Sequence, residues 1–218
     1  MAKIQRSRVG KRLFISIGEV VVNFGSIEDS LHYSVGNHIS PGIDTEICAG
    51  IFSRVRFSEL VEMYQLAIGF VLHDAETYEE LSTEQVQQTL KDLKALSKQL
   101  SDINERRNTV VHSAYFDLRQ MNRDGRRSRT ILSASKPNRK ALELTEDFNP
   151  FGDIHGEIEG LISDLVATHQ SFLRFDHGVL PFVNRTWDRF SQRVFEVREK
   201  GLLEHPELRL QFPGLRIG

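Results

Sequence analysis

Leu13, Ile17, Val20, Phe24, Ile27 and Leu31 recur at alternating steps of four and three residues. At 3.6 residues per turn that spacing winds one apolar stripe along one side of an α-helix. The same rhythm returns through Phe57, Leu60, Val61, Tyr64, Ile68 and Val71, and again through Val86, Leu90, Leu93, Leu96, Leu100 and Ile103. It returns a fourth time through Ile154, Ile158, Leu161, Leu165, Thr168, Phe172 and Phe175. Four long stripes that each bury one face predict a helical bundle. Strand-like alternation is confined to one short region.

The punctuation fits that reading. The first helix is expected to end before "SPG" at residues 40–42. The polar "HDAETYEELSTE" reads as a connection, and Ser82 with Gln85 makes a capping box for the third helix. "AYFDLRQM" and "RTILSAS" flank Asp124-Gly125, a hairpin turn signal, so a β-hairpin is expected at about residues 114–136. After "DHGVLP" a fifth segment carries Val183, Trp187, Phe190, Val194 and Val197. The fold class is therefore mainly α: a four-to-five-helix bundle with an inserted β-hairpin. Residues 1–180 form the bundle and residues 181–218 a C-terminal helix and tail packed on it or extending it.

The chain of 218 residues suffices for one well-cored domain. Its one cysteine, Cys48, permits no intramolecular disulfide, and the basic start "MAKIQRSRVGKR" lacks the pattern of a secretory signal. No stretch approaches a membrane span. A cytoplasmic protein with no membrane association is expected. There is no GxGxxG, no phosphate-binding Gly-Lys loop, no GxSxG elbow and no cysteine pair. His73, Asp74 and Glu76 stand alone in an acidic loop, and His155 with Glu159 gives too few ligands for zinc. No cofactor and no metal are expected.

One residue breaks the third stripe. After Leu100 and Ile103 the next position in phase is Arg107. A guanidinium in an apolar core needs a partner. It either pairs with an acid on another helix, Glu19 or Glu28, or snorkels to solvent, or faces an anion such as phosphate where the stripe opens. His112 follows five residues on, about 140° around an ideal helix, whereas Asn108 and His112 are one turn apart and share a face. Just beyond, residues 117–140 hold eight Lys/Arg against two Asp, in a chain whose net charge is −2. Arg119, Arg123, Arg126, Arg127 and Arg129 make that segment a candidate contact for a nucleic-acid backbone.

"RNTVVH", residues 107–112, resembles the Arg-polar-x3-His signature of the HEPN family. The likeness extends over about residues 10–180: the motif ends a late long helix, Glu28 sits among apolar positions of the first helix, and Glu105 precedes the motif. The resemblance implies a HEPN-like metal-independent endoribonuclease of the toxin or antiviral defence type. It implies a homodimer whose two motif copies complete one site, and an antitoxin or regulatory protein as a further partner. By position, Arg107 would bind the scissile phosphate, His112 would act in proton transfer, and Asn108 would orient the site, with Glu28 and Glu105 in support. RNA supplies its own 2′-hydroxyl nucleophile, so the chemistry requires no metal. The family also holds non-catalytic members, and a helical binding module for protein or nucleic acid is the alternative.

Overall fold

The computed structural model describes residues 8–39, 45–52, 54–112, 114–121, 127–134 and 154–204. It is mainly helical. Helix α1 spans Arg8–Ile39, α2 Thr45–Phe52, α3 Phe57–Thr77, α4 Thr83–His112 and α5 Ile154–Glu204. Strands β1 (Ala114–Met121) and β2 (Arg127–Ala134) pair antiparallel, with Leu118 opposite Thr130 and Arg119 opposite Arg129. The turn signal Asp124-Gly125 lies outside the described residues.

Helices α1, α3, α4 and α5 form the bundle, and α1 touches all the others. The stripes read from the sequence supply the core: Val20, Phe24, Ile27 and Leu31 of α1, Leu60, Tyr64 and Ile68 of α3, Leu93, Leu100 and Ile103 of α4, and Ile158, Leu161, Leu165 and Phe172 of α5 are all buried. Each helix therefore holds its place by burying one face rather than by intrinsic propensity.

The helix ends have local causes. The Ser82 amide donates to Gln85 Oε1 at 2.8 Å, and the Gln85 amide donates to Ser82 Oγ at 3.3 Å. This reciprocal box starts α4 as its spacing predicts. Helix α3 runs through Thr77, five residues into the expected connection, and its last turn closes when the Tyr78 amide donates to the Asp74 carbonyl. Glu79 then adopts φ 57°, reversing the chain in the left-handed region that favours glycine.

Two features differ from the expectation. Helix α2 has only eight residues, too few to show a period. The expected break at Pro181 is absent: α5 continues through it for 51 residues, across the boundary drawn at residue 180. Proline removes a hydrogen bond and crowds the preceding turn. Here tertiary anchors on both sides hold the axis. Val179, Val183 and Thr186 are buried. Arg189 pairs with Asp74 and, at 2.6 Å, with Glu80, while Arg185 reaches Glu80 at 3.1 Å. Arg189 also lies over the Tyr78 ring, 4.4 Å from its centroid. These contacts tie α5 beyond Pro181 to the end of α3.

Among the described residues, no helix is long and apolar enough to cross a membrane.

Candidate functional site

The last turns of α4 carry the Arg-polar-x3-His sequence. Ile103 anchors the stripe in the core, and Val110 and Val111 pack against it from the next turns. Arg107 is thereby carried to the seam with α1, half-buried. Its guanidinium carbon stands 4.7 Å from the centroid of the Phe24 ring. Phe24 in turn packs on Phe57 of α3, centroid to centroid 4.8 Å. An arginine over such a ring is held by the ring quadrupole, by about 0.5–1 kcal/mol at a partly exposed site.

The polar partners of Arg107 come from its own helix. Nη1 donates to Asn108 Oδ1 at 2.8 Å, and Asn108 Nδ2 donates to Asn104 Oδ1 at 3.4 Å. Nε is buried without a hydrogen-bond acceptor. The expected ion pair with Glu19 or Glu28 is absent among the described residues: Glu19 is exposed and Glu28 half-buried. The reason lies in α1, where Phe24 sits in the core stripe and offers Arg107 a ring face in place of a carboxylate.

His112 is the final residue of α4 and is exposed, as is Glu105. Helix α4 has no break between Arg107 and His112, so the separation of about 140° stands within one chain. Asn104, Asn108 and His112 instead follow at steps of four along one face. Asn104 was not singled out by sequence, although its spacing from Asn108 was the available signal. The neighbouring Arg106 is fixed elsewhere, to Asp164 of α5 at 2.5 Å, beside a groove of about 310 Å³ lined by Asp102, Ile103 and Thr168.

Of the basic hairpin residues, Arg119 lies on β1 and Arg127 and Arg129 on β2, with Arg119 and Arg129 directly opposed in register. Arg123 and Arg126 lie outside the described residues. His73, Asp74 and Glu76, expected in an acidic loop, instead lie on the last turns of α3, and both carboxylates are otherwise engaged. Asp74 accepts from Thr186 and Arg189, and Glu76 accepts from Thr83.

A second polar group, unsuspected from sequence, joins α1, α3 and α5. Asp176 Oδ1 accepts from His38 Nε2 at 2.7 Å and from the Tyr64 hydroxyl at 3.0 Å, and Oδ2 accepts from Ser34 Oγ at 2.9 Å. His38 is held further by Trp187, whose indole N–H donates to its carbonyl at 2.9 Å. Burial, reinforced by the adjacent Asp176 charge, pushes the Tyr64 phenol well above the ordinary tyrosine range, so it remains a donor. This carboxylate accepts hydrogen bonds from three protein donors on two other helices. It ties helices together.

No family model, curated protein or solved structure matches the chain.

Proposed function

We propose that this chain is a HEPN-like, metal-independent endoribonuclease that acts as a homodimer, with Arg107, Asn108 and His112 as its site. The observation that supports this reading most is the state of Arg107. It is a permanently charged fork, half-exposed at the end of a core stripe, facing an aromatic ring and, among the described residues, paired with no carboxylate. A phosphodiester oxygen is the acceptor that such a fork lacks. His112, exposed one turn beyond Asn108, is free of the core and available for proton transfer.

The reaction balances without an external nucleophile. A base, His112, takes the proton of the ribose 2′-hydroxyl, and the oxygen attacks the adjacent phosphorus. The P–O5′ bond breaks, leaving a 2′,3′-cyclic phosphate, and the departing 5′-oxygen takes up a proton from water. Arg107 stabilises charge on the non-bridging oxygens. Because one helix holds Arg107 and His112 about 140° apart, groups from two chains would complete a site. Arg119 and Arg129 are opposed in register on the hairpin that follows the motif, and a segment of basic sequence there suits an RNA backbone. Biologically this chemistry suits a toxin or defence effector held in check by a protein antitoxin, working in the cytoplasm.

The test is incubation of the purified protein with structured RNA in EDTA, beside Arg107→Ala and His112→Ala. The wild type should cut RNA, leave cyclic phosphate ends and spare DNA, and each variant should lose at least about 100-fold in rate, the usual contribution of a positioned proton-transfer group or charge stabiliser. Equal cleavage by all three proteins, or none by the wild type, would sink the site.

A second reading has one observation in its favour. The Arg107–Asn108–Asn104 chain is internal to α4. That suits a non-catalytic module in which Arg107 only caps the Phe24–Phe57 pair. It predicts binding of a protein or nucleic acid with no cleavage.

A further inference from the structure

The groove at the seam of α4 and α5 belongs to no step of the proposed cleavage. Its volume of about 310 Å³ lies at the lower end of the range for small-molecule sites. Ile103 of α4 and Thr168 of α5 are buried and form its floor, with Ala167 beside them. Asp102 and Arg106 line it from α4, and Asp164 lines it from α5. Two carboxylates thus share the groove with one guanidinium. Arg106 Nη1 donates to Asp164 Oδ2 at 2.5 Å. Asp102 is exposed and has no ion pair or hydrogen bond among the described residues.

The floor carries an independent signal. Thr168 is only 7% exposed, yet its hydroxyl has no hydrogen-bond partner among the described residues. A hydroxyl this buried ordinarily finds one. The usual resort on a helix is the carbonyl four residues back. Ser171, one turn along the same groove, takes it and donates to the Ala167 carbonyl at 2.9 Å. Thr168 does not, and its oxygen stays open to whatever enters the groove.

We infer that this groove binds an alkylguanidinium group, held between Asp102 and Asp164 above Thr168. The free capacity of the groove is acceptor capacity: the Asp102 carboxylate, the second oxygen of Asp164 and the Thr168 hydroxyl oxygen. Its charge is one negative in excess, which one cation balances. A guanidinium is a planar fork of N–H donors that meets a carboxylate through two parallel bonds and keeps donors for other acceptors. An ammonium is a compact, strongly hydrated point charge and matches such spread acceptors less well. Ile103 and Ala167 offer apolar surface to the methylene stem. The excess negative charge disfavours a polyanion, so the groove lies off the path of RNA. The site rests on α4 and α5 alone and not on the ribonuclease reading, whose failure is read in RNA cleavage.

The test is calorimetric titration of the full chain with agmatine, a free alkylguanidinium, and with N-acetyl-arginine amide, its peptide form. Each is carried to about 10 mM, past the Kd of a weak small-molecule site. Saturable binding is expected. Binding of agmatine alone assigns the groove to a free metabolite, and binding of the amide assigns it to an arginine side chain of a peptide. The matching lysine and citrulline amides should bind at least about tenfold more weakly. Asp102→Asn keeps the shape and removes the charge, and should weaken binding at least about tenfold. Thr168→Val removes one acceptor and should weaken it about fivefold. Both variants should melt no lower than the wild type, because Asp102 is exposed and the Thr168 hydroxyl is unpaired among the described residues. No saturation by either guanidinium would overturn the proposal. So would equal binding of the lysine or citrulline amide, an affinity that Asp102→Asn leaves unchanged, or tighter binding of guanosine.

Discussion

Two ionised side chains intrude on the core, and the protein treats them differently. Asp176 is met by donors from three directions: His38 and Ser34 of α1 and Tyr64 of α3. Arg107 is met by an aromatic face and one amide of its own helix, with Nε unpaired among the described residues. A carboxylate held by three converging donors has the arrangement of a structural joint. A guanidinium with no carboxylate partner among the described residues keeps donors in hand, which is what the proposed phosphate contact requires. The difference teaches that a buried or half-buried charge is read by its unsatisfied capacity rather than by its burial.

The contrast is broken most forcefully at Asp176. Asp176→Ala strands the Tyr64 hydroxyl, Ser34 and His38 together, and His38 is fully buried at its side chain. The expected loss is about 3 kcal/mol in denaturant unfolding, the size seen when one partner leaves a buried polar network. A loss below about 1 kcal/mol would show that the network is not a joint. Tyr64→Phe is milder. It removes one donor and leaves Asp176 with His38 and Ser34, so about 1 kcal/mol should be lost at pH 7.

The α1/α5 seam also contributes a pH effect. His169, whose Nε2 lies 2.9 Å from Ser30 Oγ, has its pKa lowered by burial from the ordinary 6.5. The unfolded chain therefore takes up the proton first. Stability should fall as pH drops below about 6.5, until the folded imidazole also protonates. Thermal melts at pH 7.5 and pH 5.5 should show a smaller acid-side decrease in His169→Gln than in the wild type; an identical decrease would place the linkage elsewhere.

Much of the fold was legible because burial follows period. Tyr64, Leu100, Leu165 and Phe172 were read from spacing and are all buried. The Ser82–Gln85 box formed because it needs only four consecutive residues. Continuity of α5 through Pro181 was not legible. The local signal to stop is real, but Arg189 with Asp74 and Glu80 connects residues more than 100 positions apart. Arg107 illustrates the same limit at the candidate site. Its phase in the stripe was readable, and its proximity to α1 followed. That Phe24 faces inward was readable from the α1 stripe, but which residue of α1 meets Arg107 depended on how α1 and α4 are set along their seam, which no local pattern encodes. The Asp176 network escaped for the same reason, since Ser34, His38, Tyr64 and Asp176 are scattered over three helices.

The central claim is that Arg107 is kept for what it binds rather than for what it stabilises. Unfolding of Arg107→Met in denaturant tests it most directly, because methionine fills similar volume and favours an aromatic ring. The account predicts a variant as stable as the wild type, or more stable by up to about 1 kcal/mol, since an unpaired buried N–H is removed. A loss of about 3 kcal/mol, matching that expected for Asp176→Ala, would contradict it and make Arg107 a second structural joint.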